Sequence, residues 1–249
     1  DGRIVGEGWH QRAGGPHAEV FALREAGQAA RGATAYVTLE PCAHHGRTPP
    51  CADALVEAGL ARVVVAQRDP FGEVDGRGIE RLRAAGIGVE VGLCEAEARA
   101  QLRGFRSRIE RGRPWLRLKL AASLDGRTAL ASGESKWITG EAARADVQRW
   151  RARSDALLTG AGTLRADDPA LTARVDGEVV APLRVVVAGR AALPPDARLW
   201  RDDAAPVLVA HAGGRPTGVP GQVESVALPA NAGGVDLAVL LAELARRQV

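Results

Sequence analysis

The run Arg62-Val-Val-Val-Ala-Gln67 has no polar face. As a strand it is apolar enough to require burial on both sides, which demands helices above and below it. The flanking segments supply them. PPCADALVEAGLA (49–61) reads as a helix with proline at its start and Gly59 near its end. After the strand, DPFGEVDGRG is a loop, RLRAAG a short helix and IGVEVG another strand. Upstream, Pro16 can take the first helical position of HAEVFALREAGQAA, where Val20, Leu23 and Ala26 or Ala30 share one face. TAYVTLE is a short strand, and Asp1-Gly2 leading into RIVGEGWH reads as a hairpin turn entering a strand. Strands alternating with helices mean a layered α/β sheet.

From Glu95 to Arg113 the sequence becomes polar and arginine-rich, a helix closing a first unit and then a linker. The boundary is expected near Arg111. Beyond it, PWLRLKLAASLDG predicts a strand in which Leu116, Leu118 and Leu120 alternate with Arg117 and Lys119, ending at the Asp125-Gly126 turn. Lys119 faces away from the leucines. A helix over 141–153, strands in DALLTG, LRVVVAG and PVLVA, and a last helix in VDLAVLLAELARR complete the pattern. GAGT after DALLTG reads as a tight turn.

At 249 residues the chain exceeds the usual single domain, so two are expected. The 33 basic and 30 acidic residues are dispersed, with no polybasic run to suggest a nucleic-acid tail. No apolar run approaches the roughly 20 residues that span a bilayer, and the N-terminus has no signal-peptide pattern. A soluble, cytoplasmic protein is expected. From the absence of methionine and the opening at Asp1 in mid-pattern, the chain is expected to be a fragment.

Three cysteines do not make a disulfide framework, so a close pair is better read as metal-binding or catalytic. Cys42 and Cys51 form such a pair in LEPCAHHGRTPPC. A catalytic zinc takes three protein ligands and leaves one position open, and His with two thiolates is an established set. His44 and His45 are nearest in sequence, but His17, in PHAE at a helix start, is the better third ligand. H-x-E followed by P-C and a second Cys is the pattern of zinc deaminases, with Glu19 the proton shuttle and not a ligand. Cys51 follows two prolines at a helix start, where backbone N–H groups favour thiolate. Each piece alone has a plain structural reading: HAE is a common tripeptide, and two cysteines can simply be buried. His44 and His45 are expected to be pocket or loop residues, and Cys94 a core thiol. The usual second spacing is C-x-x-C, whereas eight residues separate Cys42 from Cys51 here.

GGPHAEVFAL with TLEPCAHHGRTPPC closely resembles the bacterial bifunctional riboflavin-biosynthesis deaminase/reductase family. KLAASLDGRTALASGESKWITG and LTGAGTLRADDPALTAR resemble its reductase domain. The resemblance implies an α/β protein with an N-terminal cytidine-deaminase-like three-layer domain and a C-terminal dihydrofolate-reductase-like α/β domain, both truncated. Residues 1–111 would be the zinc-dependent deaminase, lacking its N-terminal helix and strand. Residues 112–249 would be the NADPH-dependent reductase, lacking its C-terminal part. The implied zinc ligands are His17, Cys42 and Cys51, with Glu19 catalytic. Implied cofactor contacts are Ala121, Trp137, Thr163 and Asp167, and implied substrate contacts are Ser135, Arg151, Leu171 and Arg174. Read without the family, Trp137 could be core and Arg151 a solvated helix residue. Near Gly189, where relatives often carry an aspartate followed by a small residue, Ala188 stands instead, and nothing is assigned there.

The implied chemistry is hydrolytic deamination of a pyrimidine ribose phosphate, followed by NADPH-dependent reduction of its ribosyl group. The expected partner is that small molecule, with neither nucleic acid nor membrane, and with further copies of the chain if it forms a homo-oligomer. Two other readings stand beside this one: a monofunctional zinc deaminase of nucleosides or RNA with a non-catalytic second domain, and a purely structural zinc protein.

Overall fold

The computed structural model describes residues 2–12, 14–46, 48–189, 192–201, 203–232 and 234–249. It divides into two compact units, Asp1–Arg111 and Gly112–Val249.

In the first unit, α1 (Ala18–Ala26) is followed by β1 (Thr34–Val37), α2 (Cys51–Glu57), β2 (Arg62–Val65), α3 (Arg77–Ala84), β3 (Gly88–Val91), α4 (Glu95–Gln101) and α5 (Arg103–Arg111). The strands form one parallel sheet in the order β1-β2-β3. The valine run explains this arrangement. Val63 and Val65 pack with Leu55 of α2 and with Ile79 and Leu82 of α3, while Val64, pointing to the opposite face, is buried as well.

Several expectations change. No strand forms over 3–10, and Asp1 of the expected hairpin turn lies outside the described residues. The segment instead lies on the backbone of α1: a Cβ at Gly6 would strike the Ala22 carbonyl oxygen, and one at Gly8 that of Ala18. α1 starts at Ala18, two residues after Pro16, with His17 as its N-cap residue. Cys94 is exposed and not a core thiol, because it caps α4 in a left-handed conformation (φ 54°) that turns it out of the sheet.

The second unit contains α6 (Glu141–Ala152), β4 (Ala156–Gly160), α7 (Ala161–Asp167), β5 (Ala173–Val175), β6 (Glu178–Val180), β7 (Leu183–Gly189), α8 (Arg198–Arg201), β8 (Val207–His211), β9 (Glu224–Ala227), β10 (Ala230–Asn231), β11 (Gly234–Val235) and α9 (Leu237–Arg246). A four-stranded parallel sheet runs β4-β7-β8-β9. Alternation along its strands sends Val186 and Val209 to one core with Leu164 and Leu199, and Val185 and Leu208 to another with Leu240 and Leu244. Asp236 caps α9, its Oδ1 accepting from Ala238 N at 2.9 Å and Val239 N at 3.2 Å.

Two readings of this half are corrected. Residues 114–120 form no strand: they have no ladder partner among the described residues, and Leu116, Leu118 and Leu120 stay exposed along with Lys119. The Asp125-Gly126 turn does form, closed by Gly126 N to Ser123 O at 2.9 Å. GAGT is not a free turn. Gly160 ends β4 and caps α7, and Ala161, Gly162 and Thr163 open that helix, because residues this small let strand and helix meet without a linker. Among the described residues no helix is long and apolar enough to cross a membrane.

Candidate functional site

The cap position of His17 frees its ring. The imidazole makes no capping bond and turns instead to the start of α2, where Pro50 precedes Cys51. His17 Nδ1 lies 3.2 Å from Cys51 Sγ and 3.6 Å from Cys42 Sγ. Cys51 N donates to Cys42 Sγ at 3.3 Å, and Ala52 N to the Cys42 carbonyl at 3.1 Å, which fastens Cys42 to the helix start. All three donor atoms lie within 4.8 Å of one another. A tetrahedral zinc with Zn–S of about 2.3 Å and Zn–N of about 2.0–2.1 Å keeps its ligand atoms roughly 3.5–3.8 Å apart. The set fits that ion with little movement.

Its electrostatics point the same way. The Cys42 thiol is pulled down to about 5, chiefly by the hydrogen bond from the Cys51 thiol; the Cys51 N–H and His17 add to this against burial. Cys51 is pushed up, because it gives its hydrogen to Cys42 and because burial and Glu19 oppose a second anion. A divalent ion between the two sulfurs would favour both as thiolates. Glu19 lies beside the cluster, its carboxyl raised by burial against the pull of its own backbone N–H, His17 and Cys51.

The cluster opens on a cavity of about 190 Å³ lined by His10, Gly15, His17, Cys42, His44 and Thr48, among others. His10 was not anticipated from sequence. Its ring meets that of His17 edge-on at 5.6 Å, and its Nδ1 lies 3.1 Å from the Pro16 carbonyl. His44 enters the lining, with its ring 6.0 Å from that of Phe71 and its Nδ1 buried without a hydrogen-bond partner among the described residues. His45 is exposed.

In the second unit, helix α6 and strand β5 bring part of the substrate set together. Leu171 is buried with φ 50°, Arg151 Nη1 donates to the Thr172 carbonyl at 3.3 Å, and the Arg174 N–H donates to Gln148 Oε1 at 3.0 Å. Arg151 is thus tied to the loop backbone, and burial lowers its pKa. Arg174 is exposed. Lys136 Nζ pairs with Asp167 Oδ1 at 3.9 Å, linking the exposed Ser135–Trp137 stretch to the end of α7. The Arg144 guanidinium lies 4.6 Å over the Trp137 ring. Thr163 is exposed on the first turn of α7, and Ala121 is half-buried in an irregular segment.

A cleft of about 500 Å³ is lined by Val187, Ala188, Gly189, Asn231, Val235 and Asp236, among others. Gly160 pairs with Val187, so this cleft and the start of α7 share the carboxyl edge of the parallel sheet, where such sheets receive ligands.

Comparison with known proteins places these features. Residues 1–67 match the cytidine and deoxycytidylate deaminase zinc-binding region, a stretch that includes His17, Cys42 and Cys51. Residues 114–249 match the RibD C-terminal domain. The riboflavin biosynthesis protein RibD of Escherichia coli (strain K12) is 49% identical over 100% of this chain, which spans 71% of that protein. The chain belongs to the RibD family. RibD of Mycobacterium tuberculosis (strain CDC 1551 / Oshkosh) is 51% identical over 84% of the chain and 62% of its own length. Among solved structures, Acinetobacter baumannii RibD in form 1 superposes with a TM-score of 0.87 at 47% identity, covering 99% of this chain and 68% of the other. The diaminohydroxyphosphoribosylaminopyrimidine deaminase/5-amino-6-(5-phosphoribosylamino)uracil reductase of Thermotoga maritima gives 0.89 at 37% identity, covering 100% and 70%. The RibD match accounts for both halves of the mixed α/β architecture.

Sequence reasoning missed His10 and the cleft at Gly189. The first carries no spacing signal of its own, and the second is assembled from β7, β10, β11 and α9, which only folding brings together.

Proposed function

We infer that this chain is a bifunctional enzyme of riboflavin biosynthesis. Its first activity is the zinc-dependent hydrolytic deamination of 2,5-diamino-6-ribosylamino-4(3H)-pyrimidinone 5′-phosphate. Its second is the NADPH-dependent reduction of the ribosyl side chain to ribityl. The observation that carries the reading is the convergence of His17, Cys42 and Cys51 in a stretch matching the deaminase zinc-binding region, in one chain with residues 114–249 matching the RibD C-terminal domain. That second match stands against a monofunctional deaminase. We assign the deaminase to residues 1–111 and the reductase to 112–249, and place the protein in the cytoplasm.

In the deaminase, His17 Nδ1 and the sulfurs of Cys42 and Cys51 would hold the ion, with Glu19 working beside them. When bound, zinc supplies the Lewis acidity that makes water a nucleophile near neutral pH, and NADPH supplies the electrons for the second reaction. The Glu19 carboxylate takes one proton of the attacking water and hands it to the ring nitrogen, then carries the second, from the new hydroxyl, to the amine, which leaves as ammonia while the oxygen stays on the ring carbon. In the reductase, Ser135 and Arg174 bind the sugar phosphate, the guanidinium offering a fork-shaped cationic donor. Arg151 and Leu171 shape the substrate loop. Trp137, Thr163, Asp167 and Ala121 bind the cofactor.

The test is one incubation in two stages. Zinc-loaded protein given the diaminopyrimidine phosphate is expected to release ammonia, and later addition of NADPH is expected to start its oxidation. Ammonia without NADPH consumption would favour a deaminase with a silent second domain. Neither signal would leave only a structural zinc role.

A further inference from the structure

A buried carboxylate next to the metal cluster plays no part in the chemistry above. Glu40 is 3% exposed and stands between β1 and the Pro41-Cys42 step. Its own N–H donates to the Gln67 carbonyl at 3.0 Å. Its side chain accepts four backbone N–H groups: Oε2 from Asp69 at 3.2 Å and Gly76 at 3.0 Å, Oε1 from Gly78 at 2.9 Å and Ile79 at 3.2 Å. Two of these donors belong to the first turn of α3, whose cap residue, Gly76, has no side chain to serve them. Glu40 thus caps α3 from another element and holds both ends of the loop between Arg68 and Ile79.

Other contacts press the same loop into place. Arg68 Nε pairs with Asp75 Oδ1 at 2.9 Å, and Asp69 Oδ1 accepts the Phe71 N–H at 2.8 Å. A Cβ at Gly78 would collide with the Pro41 carbonyl oxygen, so α3 lies directly on the peptide leading to Cys42. The loop touches a residue of the cavity wall: the Phe71 ring lies 6.0 Å from that of His44, and the Asp69 carboxyl is close enough to feel both Cys42 and His44.

We propose that Glu40 is a positioning residue of the deaminase centre, fixing loop 68–79 against the Cys42 segment so that Asp69 and Phe71 are set beside His44 where the pyrimidine is held. This role rests on the deaminase reading of the first unit. It needs a carboxylate. An amide of the same size offers one acceptor oxygen and points an NH₂ group at two N–H donors. Those donors are buried and would go unpaired, so the loop would lift.

The experiment uses the full zinc-loaded chain with Glu40→Gln, Glu40→Asp and, from the opposite side of the contact, Gly78→Ala. Zinc content, the KM and kcat of ammonia release, and amide exchange over residues 68–79 are measured for each. Glu40→Gln is expected to keep its zinc, exchange faster in the loop and raise KM about tenfold or more, with kcat changed much less, as the loss of buried hydrogen bonds around a binding wall predicts. Glu40→Asp, with both oxygens retained, should recover part of that KM, and Gly78→Ala, whose Cβ would press on the Pro41 carbonyl and on Glu40 Cγ, should reproduce the defect with the carboxylate still present. Faster loop exchange with unchanged KM would overturn the proposal and leave Glu40 a purely structural staple. Loss of zinc in step with activity would overturn it too, by making Glu40 a support for the ligands alone. No ammonia from the unsubstituted protein would instead sink the deaminase reading, and this role with it.

Discussion

His17 caps α1 yet makes no capping bond, so its imidazole is free to meet Cys42 and Cys51. Glu19, two residues on and inside the helix, is carried to the same place by the first turn. Glu19→Gln removes only the proton carrier: zinc content should stay at the unsubstituted level, deamination should fall about 10²–10⁴-fold, and NADPH oxidation should persist. Metal analysis beside the two assays checks this, and zinc loss in the variant would mean that Glu19 is a ligand. Cys51→Ala should act differently, abolishing stoichiometric zinc and deamination together, because two protein ligands do not hold a catalytic zinc. These residues were legible in the sequence because H-x-E, P-C and a second cysteine follow one another in the order that zinc deaminases share. Glu40 was not, since its four donors come from a loop some thirty to forty residues away.

At the scale of elements, burial on both faces of the valine strands sets stability. Leu240 of α9 is fully buried, whereas Leu237 on the same helix is 54% exposed. Leu240→Ala should cost about 2–5 kcal/mol and Leu237→Ala well under half of that, measured by urea unfolding followed on the second unit. The last turn of α9 adds a pH effect. Hydrogen bonds from Arg246, then Arg247, hold the Glu243 carboxyl below its ordinary value. A carboxylate lowered in the native state contributes stability that is complete above its unfolded pKa and is lost as pH falls through the folded one. Glu243→Gln should therefore flatten the acid limb of the stability curve, read from urea midpoints between neutral pH and strong acid. Helix and strand positions were largely legible, because apolar period and proline or glycine punctuation are local. The strand expected over 114–120 was not realised, since its Leu/Arg alternation describes a half-buried strand only where a neighbour supplies the ladder.

For the whole molecule, the metal cluster lies entirely within Asp1–Arg111, and the residues assigned to reduction entirely within Gly112–Val249. Chelation should then abolish ammonia release while NADPH oxidation, started with deaminated substrate, continues at its original rate; added zinc should restore the first activity. Parallel loss of both activities on chelation would contradict the assignment of one chemistry to each unit.

The order and type of most elements, the division near Arg111 and the donor set His17, Cys42 and Cys51 that could hold a metal were all legible in the sequence, because each depends on residues close together or on a pattern of donor types. Tertiary structure alone decided what surrounds those side chains. Glu40 caps a distant helix, His10 stands edge-on to His17, Arg151 is tied to the Thr172 carbonyl, and a cleft opens at Gly189. The physical reason is that a buried hydrogen bond or cavity is a relation between segments far apart along the chain. No periodicity or spacing in either segment records which partner the folded backbone will bring to it.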